Sequence, residues 1–289
     1  MAGFDSCLRK LGEKSPPLSV VTTLKCPCDR PDPVSAFQYD HPPQGETPFP
    51  WKNQAYRRGY QQCRRCGHWS AEIHMDLTDF YRGGYVDGTY GDGIHENFQR
   101  ILALPAEKSD NNARVQRVLA FAKTHLAPGI VPKLLDVGSG LAVFPFRMKE
   151  FGWQVTALDP DARAVEHARR YAGVRAVHAD FMDWEPVPPE LFDVITLNKV
   201  LEHVEDPVAM LLRARRWISP QGFLYAEVPD VSAAEGGPAR EEFFIEHLHV
   251  FSSASLTQAS RRAGWSRLEG FEFREPSSKY TLCAFLRTP

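Results

Sequence analysis

Two closely spaced pairs of cysteines stand near the N-terminus of the 289-residue sequence. The first pair is Cys26-Pro-Cys28, and the second is Cys63-Arg-Arg-Cys66, followed by a glycine. Four thiolates can surround one Zn²⁺ ion as a closed tetrahedron, and a site without an open position is structural rather than catalytic. The sequence therefore predicts a structural zinc site whose ligands are Cys26, Cys28, Cys63 and Cys66.

Alternatives to this zinc site remain open. Cys-x-Cys is a less usual metal knuckle than Cys-x-x-Cys-Gly, and His41, His68 or His74 could replace one cysteine. The cysteines could also be reduced core residues. A redox role is less favoured, because no thioredoxin-like strand–helix pattern surrounds the pair. A short, Pro-rich segment buries little apolar area, which favours a metal that helps it fold.

Side chains that could move a proton are concentrated between residues 243 and 251. Glu246 and His247 stand there side by side among phenylalanines. A carboxyl group next to an imidazole suits substrate binding and general acid–base catalysis. The alternative is that the aromatic rings are core and the histidines only make structural hydrogen bonds. Glu202 and His203 form an earlier pair, which could be catalytic or could shape a ligand pocket.

The segment LLDVGSG, residues 134–140, predicts a buried strand that runs into a glycine turn. Glycines such as Gly138 and Gly140 let the backbone approach a ligand at the carboxyl edge of a parallel sheet. A dinucleotide fingerprint would need a third glycine where Val143 stands, and a triphosphate loop would need a Lys-Ser/Thr that is absent. The turn therefore favours another ligand, with a plain structural turn as the alternative.

Acidic residues at the ends of the predicted strands complete a candidate ligand site. Asp136 precedes the first glycine of the turn, and Asp159 ends the next strand, where its carboxylate can accept hydrogen bonds from both ribose hydroxyls. Asp180 and Phe181 end the third strand, where the carboxylate could accept from an adenine amino group while the ring covers the base. This set indicates a ligand that contains adenosine but no pyrophosphate.

The composition changes along the chain and predicts its organisation. We expect a flexible N-terminus (1–20), a cysteine-rich zinc-binding module (21–80) and a tyrosine-bearing link (81–109). In 110–289, strands alternate with helices, which is typical of a doubly wound, mostly parallel sheet of the α/β class. The last two strands, in LEGFEFRE and YTLCAFLRT, predict an antiparallel terminal hairpin.

These motifs resemble those of class I S-adenosylmethionine-dependent methyltransferases, which have a Rossmann-like fold. The matching segments are LLDVGSG, ALDPD, HADFMDW and FDVITLNKVLEHVEDP, followed by the terminal strand pair. The resemblance implies that S-adenosylmethionine is the cofactor, with its methionine part at the glycine turn and its ribose at Asp159. It implies these cofactor-binding residues: Asp136, Gly138, Gly140, Asp159, Pro160, Asp180, Phe181, Asn198 and Lys199.

The cysteine module, the tyrosine-bearing link and the Glu-His pair of IEHLHVFS also resemble deoxysugar C-methyltransferases. The resemblance implies acid–base work for Glu246 and His247. It further implies a catalytic tyrosine, best matched by Tyr85, with Tyr81 and Tyr90 as rivals. Those enzymes continue into a further C-terminal domain, whereas this sequence stops after the hairpin. The expected acceptor is therefore a sugar-like or other natural-product small molecule, with C- or O-methylation left open.

The overall composition limits the kinds of partner and the cellular location that we expect for the protein. A net charge of −2, with 43% hydrophobic residues, is typical of a globular protein with no general attraction to nucleic acid or membranes. No apolar run approaches the roughly 20 residues that a membrane helix needs. The N-terminus also lacks the apolar core of a secretion signal. We therefore expect a cytoplasmic protein and leave its oligomeric state open.

Two other classes of function remain as alternatives. The run WKNQAYRRGYQQCRRC interleaves basic and aromatic residues, as in binders of single-stranded nucleic acid. The net charge argues against extended phosphate contacts, and a solvated face or a patch for a nucleotide-sugar diphosphate is a plainer interpretation. The second alternative is a non-catalytic binding protein that keeps the fold but lacks activity. Neither LLDVGSG nor ALDPD shows a substitution that would indicate such a loss.

Overall fold

The computed structural model describes residues 22–48, 55–75 and 93–289 of the chain. These residues form two β-sheets and the helices that pack on them. The strands are β1 (Thr22–Thr23), β2 (Pro33–Tyr39), β3 (Arg58–Cys63), β4 (Trp69–Ile73), β5 (Lys133–Val137), β6 (Gln154–Asp159), β7 (Arg175–His178), β8 (Phe192–Asn198), β9 (Ile218–Pro229), β10 (His249–Val250), β11 (Ser266–Arg274) and β12 (Tyr280–Arg287). The α-helices are α1 (Ile94–Leu102), α2 (Asp110–His125), α3 (Val143–Glu150), α4 (Ala162–His167), α5 (Pro207–Ala214) and α6 (Ser253–Arg262).

Seven strands form the central sheet in the order β11-β12-β9-β8-β5-β6-β7. The strands from β5 to β9 pair in parallel, whereas β12 pairs antiparallel with both β9 and β11. The chain runs outward from β5 to β7 and then crosses back to β8, so the strand order reverses between β5 and β8. Ligands of open α/β sheets bind at such a switch point. The predicted parallel sheet with an antiparallel terminal hairpin is confirmed.

The central strands are buried on both faces. Neighbouring side chains in a strand point to opposite faces, and Leu134 and Val194 pack in one hydrophobic cluster while Leu135 and Ile195 pack in the other. All four side chains are fully buried. This burial explains why the parallel strands read as continuous apolar runs rather than as alternating ones.

Local capping signals set where several helices begin. The Asp206 side chain accepts a hydrogen bond from the Ala209 amide at 2.9 Å, and α5 starts at the next residue, Pro207. At α6 the side chains of Ser252 and Ser255 form a capping box. None of the described helices combines the length and apolar character that crossing a membrane requires.

The smaller sheet, called here the N-terminal sheet, has the order β1-β4-β3-β2, and β10 also pairs with β4. In the antiparallel β10–β4 pair, His249 lies opposite Ser70 and Val250 opposite Trp69. Phe243 packs with Trp69 in the core of this sheet, at 5.0 Å between ring centroids. The segment that follows β9 therefore completes a sheet that begins near the N-terminus.

Candidate functional site

The glycine turn after β5 has a backbone that few other residues adopt. Gly138 has a φ of 68° and Gly140 a φ of 48°. A Cβ atom on Gly138 would lie 2.8 Å from Cγ2 of Val200, which is closer than real Cβ contacts. The Gly138 amide donates to the Leu158 carbonyl at 2.8 Å. The turn therefore presents bare backbone at the switch point of the sheet.

Asp159, at the end of β6, forms a hydrogen bond with this turn. Its carboxylate accepts hydrogen bonds from the amides of Gly140 and Asp161, at 2.8 and 2.9 Å. Burial raises the pKa of Asp159 above its ordinary value, although these hydrogen bonds oppose the rise. The side chain lines a cavity of about 360 Å³. The same cavity is lined by Pro160, Asp180 and Phe181.

Asp136 lines a second cavity, of about 520 Å³. Its carboxylate accepts hydrogen bonds from Thr196 Oγ1 at 2.6 Å and Asn198 Nδ2 at 2.8 Å. Burial raises the pKa of Asp136 to about 6, even though these hydrogen bonds favour the ionised form. Lys199 directly follows β8 and donates to Thr281 Oγ1 at 2.7 Å.

The two cavities adjoin at the glycine turn. Lys199 and His203 line both of them, so a ligand in the smaller cavity can reach the edge of the larger one. A second ligand in the larger cavity would meet the first at this point. The shared lining consists of Gly138, Gly140, Leu141, Lys199 and His203.

The larger cavity is also lined by Glu246 and His247. Beside them lie Glu202 and His203, on a 3-10 turn that follows β8. His203 Nδ1 lies 2.8 Å from the carbonyl oxygen of Glu246, and the ring centroids of His203 and His247 are 5.0 Å apart. The two pairs singled out in the sequence thus meet in one cavity. Tyr85 lies outside the described residues, and its role stays a prediction.

The tautomer of His247 follows from its hydrogen bond. Nδ1 lies 3.1 Å from the carbonyl oxygen of Glu242, which can only accept, so Nδ1 carries the hydrogen. Nε2 is then the nitrogen with the lone pair. Burial lowers the pKa of His247 well below its ordinary value, so the ring is neutral near pH 7. A neutral imidazole of this tautomer can accept a proton at Nε2.

Glu202 is a buried carboxyl group whose two oxygens have no hydrogen-bond partner within the described residues. Burial raises its pKa to about 8, although the charge of Lys199 opposes the rise. Burial also raises the pKa of Glu246. Donor atoms of Glu202, His203 and His247 lie within 4.8 Å of one another and could hold a cation. The ammonium group of Lys199 disfavours a second positive charge there, which favours proton handling instead.

The four predicted zinc ligands lie together at one end of the N-terminal sheet. Cys26 Sγ lies 3.5 Å from Cys28 Sγ and 3.3 Å from Cys66 Sγ, and Cys28 Sγ lies 3.7 Å from Cys63 Sγ. Sulfurs bound tetrahedrally at a Zn–S distance of about 2.3 Å stand roughly 3.8 Å apart, so the group fits one zinc ion. The thiols are free, and the Cys26 hydrogen bond lowers the pKa of Cys66 to about 6.

His68, one of the three substitute zinc ligands considered from the sequence, forms hydrogen bonds elsewhere. Its buried Nε2 lies 3.0 Å from Nδ1 of His249, and its Nδ1 lies 3.2 Å from Ser255 Oγ. His249 is equally buried in β10. Both imidazoles therefore act as hydrogen-bonded core residues that join the N-terminal sheet to α6.

The basic and aromatic run that suggested nucleic-acid binding is partly interior. Tyr56, Arg58 and Tyr60 are 8%, 1% and 0% exposed. Arg58 forms an ion pair with Glu46 at 2.5 Å, in which both side chains are buried. Bases cannot stack on buried rings, so the nucleic-acid alternative loses this part of its aromatic support. Sequence reasoning missed the Glu46–Arg58 pair, because nothing in the loop around Glu46 indicates where its carboxylate lies.

Sequence reasoning also missed Arg114, which α2 contributes to the lining of the larger cavity. Arg114 Nε donates to Glu227 on β9 at 3.0 Å, and Arg117 donates to the same carboxylate at 3.0 Å. The two guanidinium groups hold the pKa of Glu227 well below its ordinary value despite burial. Arg114 and Glu227 lie 113 residues apart in the sequence, so only the fold brings them together.

Comparisons with known proteins support this interpretation of the fold. Residues 90–269, well over half of the chain, match the family model described as a methyltransferase domain. The ubiquinone biosynthesis O-methyltransferase of Actinobacillus pleuropneumoniae serotype 5b is 30% identical over 102 residues, which cover 32% of this chain and 44% of that protein. The protein of the same name from Xanthomonas campestris is 33% identical over 98 residues, covering 32% and 41%. The chain spans under half the length of these relatives.

Solved structures show the same architecture. Magnesium protoporphyrin IX methyltransferase from Synechocystis, with S-adenosylhomocysteine bound, matches with a TM-score of 0.55 at 14% identity, covering 72% of this chain and 100% of that one. The 1,6-didemethyltoxoflavin-N1-methyltransferase of Burkholderia thailandensis matches with a TM-score of 0.54 at 19% identity, covering 78% and 97%. The chain therefore belongs to the methyltransferase-domain family, and its fold is that of the class I, S-adenosylmethionine-dependent methyltransferases.

Proposed function

We propose that the chain transfers the methyl group of S-adenosylmethionine to a polar small-molecule acceptor. One observation carries this proposal: the cavity that contains the glycine turn also contains Glu246 and His247 and adjoins the cavity of Asp159. The smaller cavity, called here the cofactor cavity, would hold adenosine. The larger one, called here the acceptor cavity, would hold the methionine part and the acceptor.

The proposed cofactor contacts follow from these positions. Asp159 would accept hydrogen bonds from the ribose hydroxyls, since its carboxylate lies at the wall of the cofactor cavity. Asp180 and Phe181 would contact the adenine at the same cavity, with Pro160 beside the ribose. The methionine part would lie against the residues that line or support the acceptor cavity near the turn: Asp136, Gly138, Gly140, Asn198 and Lys199.

The reaction needs alignment more than activation, because the sulfonium carries the methyl group already activated. The acceptor nucleophile forms a bond to the methyl carbon, the carbon–sulfur bond breaks, and its electron pair stays on sulfur in S-adenosylhomocysteine. The proton released by the acceptor would pass to Nε2 of His247, which is neutral near pH 7. Glu246, buried beside His203, would share this proton handling, and Tyr85 would assist.

The proposed acceptor is sugar-like, or another hydroxylated natural product. The acceptor cavity supports this because charged and amide side chains of Asn111, Lys279 and Glu242 line it alongside Tyr280. The names of the curated relatives refer to O-methylation, and that of the toxoflavin enzyme to N-methylation. We further propose that Cys26, Cys28, Cys63 and Cys66 hold a structural zinc ion.

A methyl-transfer assay tests the proposal. The purified chain is incubated with methyl-labelled S-adenosylmethionine and a panel of nucleotide-sugars and phenols, and formation of S-adenosylhomocysteine is measured. We expect turnover with at least one hydroxylated acceptor and none with single-stranded RNA. Cofactor binding without turnover on any acceptor would favour the non-catalytic alternative. Absence of S-adenosylhomocysteine binding would contradict the proposed function itself.

A further inference from the structure

The Glu46–Arg58 ion pair forms hydrogen bonds with the Tyr56 hydroxyl and with the segment just before the proposed proton-handling residues. Arg58 Nη1 donates to the carbonyl of Phe243 at 2.9 Å. Glu46 Oε2 accepts from the amide of Ile245 at 2.8 Å. A buried ion pair offsets its desolvation only where its other donors and acceptors are satisfied. The backbone at residues 243 and 245 therefore belongs to the environment that stabilises this pair.

Two tyrosines of the N-terminal sheet bond the same segment. The Tyr60 hydroxyl lies 3.2 Å from the Phe244 carbonyl oxygen and also contacts that of His247. The Tyr39 hydroxyl donates to the carbonyl of Pro238 at 2.9 Å. The N-terminal sheet thus contacts backbone groups from residue 238 to residue 247.

The turn after β8 also forms hydrogen bonds with this segment. His203 Nδ1 donates to the carbonyl of Glu246 at 2.8 Å, and the amide of Leu248 donates to the carbonyl of Glu202 at 2.7 Å. The stretch that carries the proposed proton-handling side chains is therefore held from two regions of the chain. Proton transfer is sensitive to such placement, since a shift of about 1 Å can slow an enzymatic reaction about 100-fold.

We propose that the Glu46–Arg58 pair positions Glu246 and His247, so that the N-terminal sheet forms part of the reaction centre. This inference rests on the proposed function, because it assigns the pair to the proton-handling step. Neither member of the pair lines the acceptor cavity, so both are positioning residues. Charge-assisted hydrogen bonds fix direction as well as distance, which an apolar contact at this place would not do.

Amide hydrogen exchange of the full-length protein with S-adenosylhomocysteine bound tests the proposal. Arg58→Met keeps much of the side-chain length but removes the charge and every donor. We expect the Ile245 amide to exchange about tenfold faster in this variant, because its acceptor oxygen on Glu46 loses the guanidinium partner. The amides of β5 should keep their rates, and S-adenosylhomocysteine affinity should stay within about twofold. The Ile245 exchange rate in Arg58→Lys, which retains the charge, should lie between the rates in the wild type and in Arg58→Met.

The nitrogen NMR spectrum of the His247 ring gives a second readout. The wild type should show one tautomer with the hydrogen on Nδ1, as the Glu242 contact requires. We expect a mixture of tautomers in Arg58→Met and recovery toward a single one in Arg58→Lys. A purely structural pair would lower stability without changing this tautomer.

Arg175→Met is the matched control, because it breaks an exposed ion pair with Glu190 at 2.5 Å. It should change neither readout. An unchanged Ile245 rate in Arg58→Met, or an equal rise at β5, would overturn the inference. If Arg58→Met does not fold, Glu46→Gln takes its place with the same expectations. A wild type that does not bind S-adenosylhomocysteine contradicts the proposed function instead, so the two failures are distinguishable.

Discussion

The cofactor cavity and the acceptor cavity are built in different ways. The cofactor cavity is lined by residues at the ends of successive strands, with Asp159 as the last residue of β6 and Asp180 shortly after β7. The acceptor cavity joins α2, the turn after β8 and the segment before β10 to Gly45 and Thr47 of the N-terminal region. Cofactor affinity should therefore depend on local motifs, and turnover on contacts between distant segments. Substitutions can test whether these two properties separate.

The largest expected effect is on turnover alone. His247→Asn removes the proposed proton acceptor, so methyl transfer should fall by about 10²- to 10⁴-fold. Affinity for S-adenosylhomocysteine should not change, because His247 is not among the proposed cofactor contacts. Turnover is measured with an acceptor found in the screen, and affinity by calorimetry. The control is the exposed His41→Asn. A rate within about threefold of the wild type would show that His247 does not handle the proton.

A second substitution should act on the cofactor side. Asp159→Ala removes the acceptor of the Gly140 and Asp161 amides as well as the proposed ribose contact. We expect S-adenosylhomocysteine to bind about 10- to 100-fold more weakly by calorimetric titration. Asp183→Ala, a nearby exposed carboxylate, should bind as the wild type does. Equal affinities for the wild type and Asp159→Ala would break the proposed division between the two cavities.

Loss of the metal should affect the N-terminal sheet more than the cofactor cavity. Cys66→Ser should reduce bound zinc from about one ion per chain to a small fraction and lower the melting temperature. S-adenosylhomocysteine affinity should change by less than about threefold, because no cysteine lines the cofactor cavity. Metal analysis and thermal melting measure both effects. Cys283→Ala removes a buried thiol far from the cluster in sequence and should retain zinc. Full zinc content in Cys66→Ser would exclude the four-cysteine site.

The smallest expected effect is a pH-dependent gain in stability. The pKa of Glu202 is about 8 in the folded protein, above its ordinary 4.5. The folded protein therefore holds this proton more tightly than the unfolded chain, so the wild type loses stability as pH rises from about 4.5 to about 8. Glu202→Gln cannot ionise and should be more stable than the wild type by roughly 1–3 kcal/mol near pH 8.

This gain should shrink toward pH 4.5 and disappear well below it, where Glu202 is protonated in both states of the wild type. Thermal melts of both proteins at the two ends of this pH range measure it. The same difference in melting temperature at both ends would mean that Glu202 does not carry the raised pKa.

The sequence was sufficient for features encoded by neighbouring residues. The strand-and-glycine pattern of LLDVGSG predicted the turn, and the spacing of later strands predicted the parallel sheet and the terminal hairpin. The cysteine pairs predicted a cluster whose sulfurs do lie together. In each case the signal lies within a few residues of chain, and the local conformation follows from those residues.

Contacts between distant segments could not be predicted in this way. Neither the Glu46–Arg58 pair nor the Arg114–Glu227 pair has a local pattern, because each depends on how two sheets or a helix and a strand pack. The strand β10 has only two residues, which is too short for any period of alternation to show. The meeting of Glu202 with Glu246 and His247 likewise depends on the crossing of the segments after β8 and β9.

The pairing of β10 with β4 limits where the chain can be divided. A cut near residue 80 would leave Ser70 and Trp69 paired with β3 on one side only, and open strand edges promote self-association. The N-terminal sheet therefore cannot be exchanged without the strand β10 that pairs with it. A chimera that replaced it with a relative's version would need the matching stretch 238–250 from the same relative, so the two segments have to be engineered together.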